Sequence, residues 1–140
     1  MDEPRPKLQP VHLSVIGLLG AVAGALLIAG TITWLAVTWL SPGAEGRLGF
    51  MAGTFASVIA GFASVVPLIL GAHFGAMGVV GGYFAGSFVR AILAIGICLA
   101  AIRWRDCPPV PTLLTMVVHY LAVLTAESII VGRALLNRPL

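Results

Sequence analysis

Two residues of opposite charge, Arg90 and Glu127, lie inside long apolar runs of the sequence. A charge at the centre of a lipid bilayer costs at least about 2.5–3.5 kcal/mol on insertion scales, so it is normally paired, neutralised or in contact with water. An arginine and a glutamate can satisfy each other through charge-assisted hydrogen bonds. These two side chains are therefore the residues of the chain most able to carry chemistry.

The depths of the two residues agree if their apolar runs form neighbouring antiparallel helices. Arg90 lies about 16 Å beyond Val79, where its predicted span starts, and Glu127 lies about 14 Å before Leu136, where the next predicted span ends. We therefore predict an intramembrane ion pair between Arg90 and Glu127. The pair either fixes the register of the two helices and does nothing else, or allows one member to contact an ionisable residue of a partner membrane protein.

Two tyrosines share the faces of the charged residues. Tyr83 precedes Arg90 by seven positions and Tyr120 precedes Glu127 by seven, a spacing that returns to roughly the same side of a helix. We expect these tyrosines either to support the pair by hydrogen bonding in the bundle interior or to act as interfacial anchors.

The elements that must position these side chains are transmembrane helices. Of the 140 residues, 59% are hydrophobic and 9% are charged, against roughly 25% charged in soluble domains. A hydrocarbon core about 30 Å thick takes roughly 20 apolar residues as a helix, and the sequence predicts spans at residues 12–40, 49–72, 79–102 and 112–136. We predict an all-α fold, an integral membrane four-helix bundle that forms one domain over residues 1–140, with no soluble domain.

The predicted connections between the spans are short. The segment SPGAEGR at 41–47 is typical of a turn, HFGAMG at 73–78 of a tight hairpin, and CPPVP at 107–111 of a rigid turn. An even number of spans places both termini on one side of the membrane. The terminal segments carry Arg5, Lys7, Arg133 and Arg138, and the opposite connections carry Arg47, Arg103 and Arg105. This small excess favours cytoplasmic termini.

Small residues recur at four-residue spacing and indicate close helix packing. The predicted packing positions are Gly53, Ser57, Gly61 and Pro67 in the second span and Gly82 and Gly86 in the third. Pro67 is also a candidate kink, because proline removes one backbone hydrogen bond and crowds the preceding turn. Since the chain has 17 glycines, such spacings also arise by chance, so they predict packing but no particular dimer face.

The sequence contains few residues that could form a disulfide, a metal site, a phosphate site or a catalytic site. Cys98 and Cys107 do not indicate a disulfide framework, and His73 and His119 are interpreted as packed or interfacial. No cluster has metal-ligand spacing, and no phosphate loop or nucleophilic triad can be assembled. The net charge of +3 is spread over the loops. We therefore expect no catalytic site, cofactor, metal or nucleic-acid partner. We expect the protein to contact membrane lipid.

Three segments from Gly53 onward, GTFASVIAGFASVVPLIL, GGYFAGSFVRAIL and HYLAVLTAESII, carry a family resemblance. Together they resemble the ATP synthase subunit I family, small four-helix membrane proteins associated with bacterial F-type ATP synthases. The resemblance implies a protein of the bacterial inner membrane that helps to assemble the rotor ring of proton-carrying subunits, with a part in magnesium supply. It maps the family's basic residue onto Arg90, as a transient partner for the membrane carboxylate of a rotor subunit. The long first span departs from the family.

Two other functions remain as alternatives. A proton-carrying, proteolipid-like rotor subunit also has a carboxylate in a late span, but Arg90 would neutralise a carboxylate that must load and release protons. A small proton-coupled transporter is similar in size, but its working glutamate lies in the first helix, where the apolar run of this chain has no charge.

Overall fold

The computed structural model describes residues 14–136 and folds them into four helices. In chain order, α1 is Val15–Leu40, α2 is Ala44–Ala72, α3 is Gly75–Arg105 and α4 is Pro109–Leu136. Each helix is long and apolar enough to cross a membrane. The described chain is thus an all-α, multi-pass membrane protein, as its sequence predicts. The start of the predicted first span at residue 12 and the basic residues Arg5, Lys7 and Arg138 lie outside the described residues.

The connection between α1 and α2 is shorter than the predicted turn, because α2 already begins at Ala44. Gly43 adopts a φ of 126°, a conformation that residues with a side chain rarely adopt, and it reverses the chain between the helices. Glu45 lies in the first turn of α2, where a negative charge is favourable beside the positive end of the helix dipole. Hence α2 includes polar residues that precede the predicted span at 49–72.

The other two connections are equally tight. Only His73 and Phe74 separate α2 from α3, and Gly75 takes a φ of 77° at the turn. α3 then continues to Arg105 and ends at Asp106, which adopts a left-handed φ of 50°. α4 starts directly at Pro109, a position that suits proline because the first N–H groups of a helix have no intrahelical partner. These helices therefore extend beyond the predicted spans 79–102 and 112–136.

α2 and α4 form the centre of the bundle, and α1 and α3 lie on opposite sides of it. Within residues 14–136, every pair of helices is in contact except α1 and α3. Leu18, Leu68, Val79 and Val123 contribute one buried side chain from each helix to the main apolar cluster. Large apolar side chains also cover the outside, for example Trp104, which is 80% exposed. An exposed apolar surface of this kind is suited to lipid.

The small residues of α3 allow its backbone to approach α2 closely. A Cβ atom at Gly82 would lie 2.5 Å from the carbonyl oxygen of Pro67, and one at Gly86 would lie 2.5 Å from that of Ser64. Pro67 itself lies inside α2, which continues past it to Ala72. The predicted packing positions Gly82, Gly86 and Pro67 therefore meet at one interface.

The small residues of α2 also face α4. A Cβ atom at Gly53 would lie 2.5 Å from the carbonyl oxygen of Thr112, so the two backbones touch. Ser57 is buried, and its hydroxyl donates to the carbonyl of Gly53 at 2.7 Å. Gly61 is packed less tightly, since a Cβ atom there would meet Val22 at an ordinary 3.6 Å.

Candidate functional site

Arg90 of α3 and Glu127 of α4 form the buried ion pair that their depths predict. Nη2 of Arg90 donates a hydrogen bond to Oε2 of Glu127. Arg90 is 1% exposed and Glu127 is 2% exposed, so the bundle shields both charges from its surroundings. It is the one ion pair among the residues that the structure describes. Because a buried charge without its partner is strongly destabilising, the pair constrains how α3 and α4 align.

A third helix contributes to the site through Ser64 of α2. Its hydroxyl lies 2.9 Å from Oε1 of Glu127 and 2.7 Å from the carbonyl oxygen of Gly61, and its single proton can be donated to either. Sequence reasoning did not select Ser64. The signal was its position three residues after Gly61, on the small-residue face of α2.

Tyr120 contacts the pair through its aromatic ring. The guanidinium carbon of Arg90 lies 5.4 Å from the ring centroid, which is a cation–π distance. The expectation that Tyr120 supports the pair is therefore met by its ring face rather than by a hydrogen bond from its hydroxyl.

Tyr83 does not join the pair. Its hydroxyl lies 2.6 Å from the Oγ atom of Ser128, in a second contact between α3 and α4 at an exposed position. The physical reason is depth, because seven residues of helix move a side chain by about 10 Å along the axis even though they return it to the same face. Tyr83 thus links the two helices beside the site and forms no hydrogen bond with the pair.

The guanidinium of Arg90 has donors that the pair leaves unused. Its Nε and Nη1 atoms are buried and have no hydrogen-bond partner within residues 14–136. An arginine side chain carries five N–H donors, and a buried donor without an acceptor costs about 1–3 kcal/mol. Chemically, the guanidinium has donors for a second acceptor, on nitrogen atoms that the bundle encloses.

A second group of buried polar side chains lies on the α1 side of α4. His119 is fully buried, and its Nδ1 donates to the carbonyl oxygen of Thr115 at 2.8 Å. Its Nε2 has no partner in the described part of the chain and lies against Gly30 of α1. Since eight residues of helix separate His119 from Glu127, or about 12 Å, this histidine is not part of the ion-pair site. It is a packed residue, as the sequence indicates.

The remaining candidate groups are dispersed. Cys98 and Cys107 are both buried and both free. His73 lies at the α2–α3 turn, where its Nδ1 donates to the carbonyl of Ile69 at 3.1 Å. Across residues 14–136, no group of three or more His, Cys, Asp and Glu side chains is arranged to hold a metal ion.

Comparison of the chain with protein-family models, with curated proteins and with solved structures gives no match.

Proposed function

We propose that this protein is an accessory protein of a bacterial F-type ATP synthase and helps to assemble the membrane rotor ring. The observation that carries the proposal is the guanidinium of Arg90, which is buried inside the bundle with two nitrogen atoms unpartnered among the described residues. The ATP synthase subunit I resemblance of the segment around Arg90 supplies the identity of the enzyme complex.

The chemistry of the partner follows from the charge of the site. A rotor subunit that has not yet joined a ring would expose its membrane carboxylate to lipid, where an unpaired charge is expensive. Arg90 offers such a carboxylate the N–H groups of two further nitrogen atoms, and hydrogen bonds between a guanidinium and a carboxylate are among the strongest in proteins. The protein thereby stabilises the subunit until the ring closes.

The proposal places the protein in the bacterial inner membrane with both termini in the cytoplasm. Arg133 lies in the last turn of α4, on the side of the termini, and Arg47, Arg103 and Arg105 lie on the other side. Arg5, Lys7 and Arg138 are outside the described residues, and with them the terminal side carries the larger positive charge.

A charge-swapped variant tests the proposal without simply breaking the fold. Arg90→Glu combined with Glu127→Arg keeps an ion pair between α3 and α4 but moves the guanidinium to α4. The exposed residue Arg133 provides the control, Arg133→Gln. At equal abundance in the membrane, we expect the tagged wild type and the control to recover rotor subunits. The swapped variant should recover at least about tenfold less, the effect of losing one charged hydrogen bond.

Equal recovery of rotor subunits by the wild type and the swapped variant would contradict the proposal. The ion pair would then serve only to set the register of α3 and α4. A carboxyl-reactive carbodiimide adds an independent measurement. Rapid and selective labelling of Glu127 would favour the alternative in which the protein itself carries protons, because a carboxylate held by Arg90 and Ser64 is expected to react slowly.

A further inference from the structure

A groove of about 570 Å³ lies on the outer surface between α2 and α3, apart from the ion-pair site. Its walls are mainly apolar and include Leu48 and Phe55 from α2 and Ile97 and Trp104 from α3. The volume lies in the range of roughly 300–1,000 Å³ that is usual for small-molecule sites. Arg105 is the one charged residue among those that line the groove.

The depth of the groove matches one leaflet of a membrane. Phe55 lies about 16 Å beyond Ala44 along α2, and Ile97 lies about 12 Å before Arg105 along α3. Half of a hydrocarbon core about 30 Å thick is about 15 Å. The groove therefore extends from the membrane surface to near the bilayer midplane, a length suited to an acyl chain of the leaflet on the loop side.

The mouth of the groove is positively charged. Arg105 is exposed in the last turn of α3 and lines the groove, and it forms no ion pair with any acidic residue of the described range. Asp106 follows it and Glu45 lies in the first turn of α2 at the same end of the bundle, but neither forms a salt bridge there. Trp104, beside Arg105, is an aromatic residue of the kind found at membrane interfaces.

We propose that this groove binds one anionic phospholipid. The acyl chain lies between α2 and α3, and the headgroup phosphate contacts Arg105, whose planar guanidinium is suited to phosphate oxygens. A zwitterionic headgroup would bring its own cation towards Arg105, so the site prefers a lipid with net negative charge. This site is independent of the proposed role in ATP synthase assembly.

Native mass spectrometry of the full chain in detergent, titrated with phosphatidylglycerol or with phosphatidylcholine of the same acyl chains, tests the charge requirement. We expect the wild type to retain phosphatidylglycerol about fivefold better, the effect of one arginine near an anionic lipid surface. Arg105→Gln should lose most of this preference. Arg103→Gln is the matched control, because Arg103 is exposed in the same turn but does not line the groove.

A second pair of variants tests the groove itself. Ala101 lines the groove, so Ala101→Phe should fill it and lower the retention of both lipids. Ala85→Phe, at an exposed position elsewhere on α3, should leave retention unchanged. The proposal is overturned if Arg105→Gln keeps the preference, if both arginine variants lose it equally, or if Ala101→Phe retains both lipids normally. Because Arg105 is exposed, its variant tests the charge requirement even if Ala101→Phe does not fold.

Discussion

The buried pair predicts a strong energetic coupling between Arg90 and Glu127. In Glu127→Leu, the guanidinium stays inside the bundle at a position that is 1% exposed and loses its carboxylate. In Arg90→Leu, the carboxylate keeps only the Ser64 hydroxyl, at 2.9 Å, as a donor. Breaking a buried ion pair from one side typically costs about 3–5 kcal/mol, so each single variant should lose stability in that range.

The double variant, with leucine at both positions, is expected to behave differently. It removes both charges and leaves an apolar contact between α3 and α4, and such replacements of buried pairs are often neutral or stabilising. We expect the free energy of unfolding of the double variant to lie within about 1 kcal/mol of the wild type. The coupling energy of the cycle should therefore be about 5 kcal/mol or more, above the roughly 0.5–3 kcal/mol usual for contacting residues, because each single variant leaves a buried charge without its partner.

Reversible unfolding in mixed micelles of mild detergent and dodecyl sulfate, followed by far-ultraviolet circular dichroism, measures these free energies. Arg133→Leu serves as the control, since Arg133 is exposed and its loss should change stability by less than about 0.5 kcal/mol. A coupling energy below about 0.5 kcal/mol, or a double variant as unstable as the two single variants combined, would refute the reasoning.

Substitutions at Gly82, Ser64 and Tyr120 probe the surroundings of the pair in the same unfolding assay. Gly82→Ala puts a Cβ atom 2.5 Å from a backbone carbonyl and should cost about 1–3 kcal/mol. Gly81→Ala faces open space and should cost nothing, so equal losses would contradict the close α2–α3 approach. Ser64→Ala removes a hydrogen bond to Glu127 and should cost about 1 kcal/mol; no loss would show that the carboxylate does not depend on it. Tyr120→Leu should cost about 0.5–2 kcal/mol and Tyr120→Phe much less, because phenylalanine keeps the ring; the opposite order would implicate the hydroxyl.

The sequence predicts the pairing of Arg90 with Glu127 because depth along a helix depends only on residue number and helical rise. It does not predict Ser64, since that contact depends on how α2 is rotated and how closely it approaches α3 and α4. The same limit explains Tyr83. A seven-residue spacing identifies the face of a helix but places Tyr83 about 10 Å from Arg90, and there the neighbour across the interface is Ser128.

Helix ends are a second point at which the sequence is insufficient. Hydropathy locates the apolar part of each span. It does not show how far the helix continues into charged residues or proline at its ends. Glu45 in the first turn of α2 and Arg105 in the last turn of α3 are both favourable beside the helix dipole, so both helices extend past their apolar runs. Pro109 begins α4 for the related reason that a first-turn proline sacrifices no hydrogen bond.

The interface between α3 and α4 differs in kind from that between α2 and α3. The α2–α3 interface is the most extensive in the described bundle and brings backbone against backbone at Gly82 and Gly86. The α3–α4 interface is the least extensive, and polar side chains hold it: the ion pair and the hydrogen bond between Tyr83 and Ser128. Helices in lipid associate mainly through close packing. Of the helix pairs in contact, α3 and α4 would therefore lose the least close packing on separation. Under the proposed function, a carboxylate on a partner helix would therefore reach Arg90 between α3 and α4.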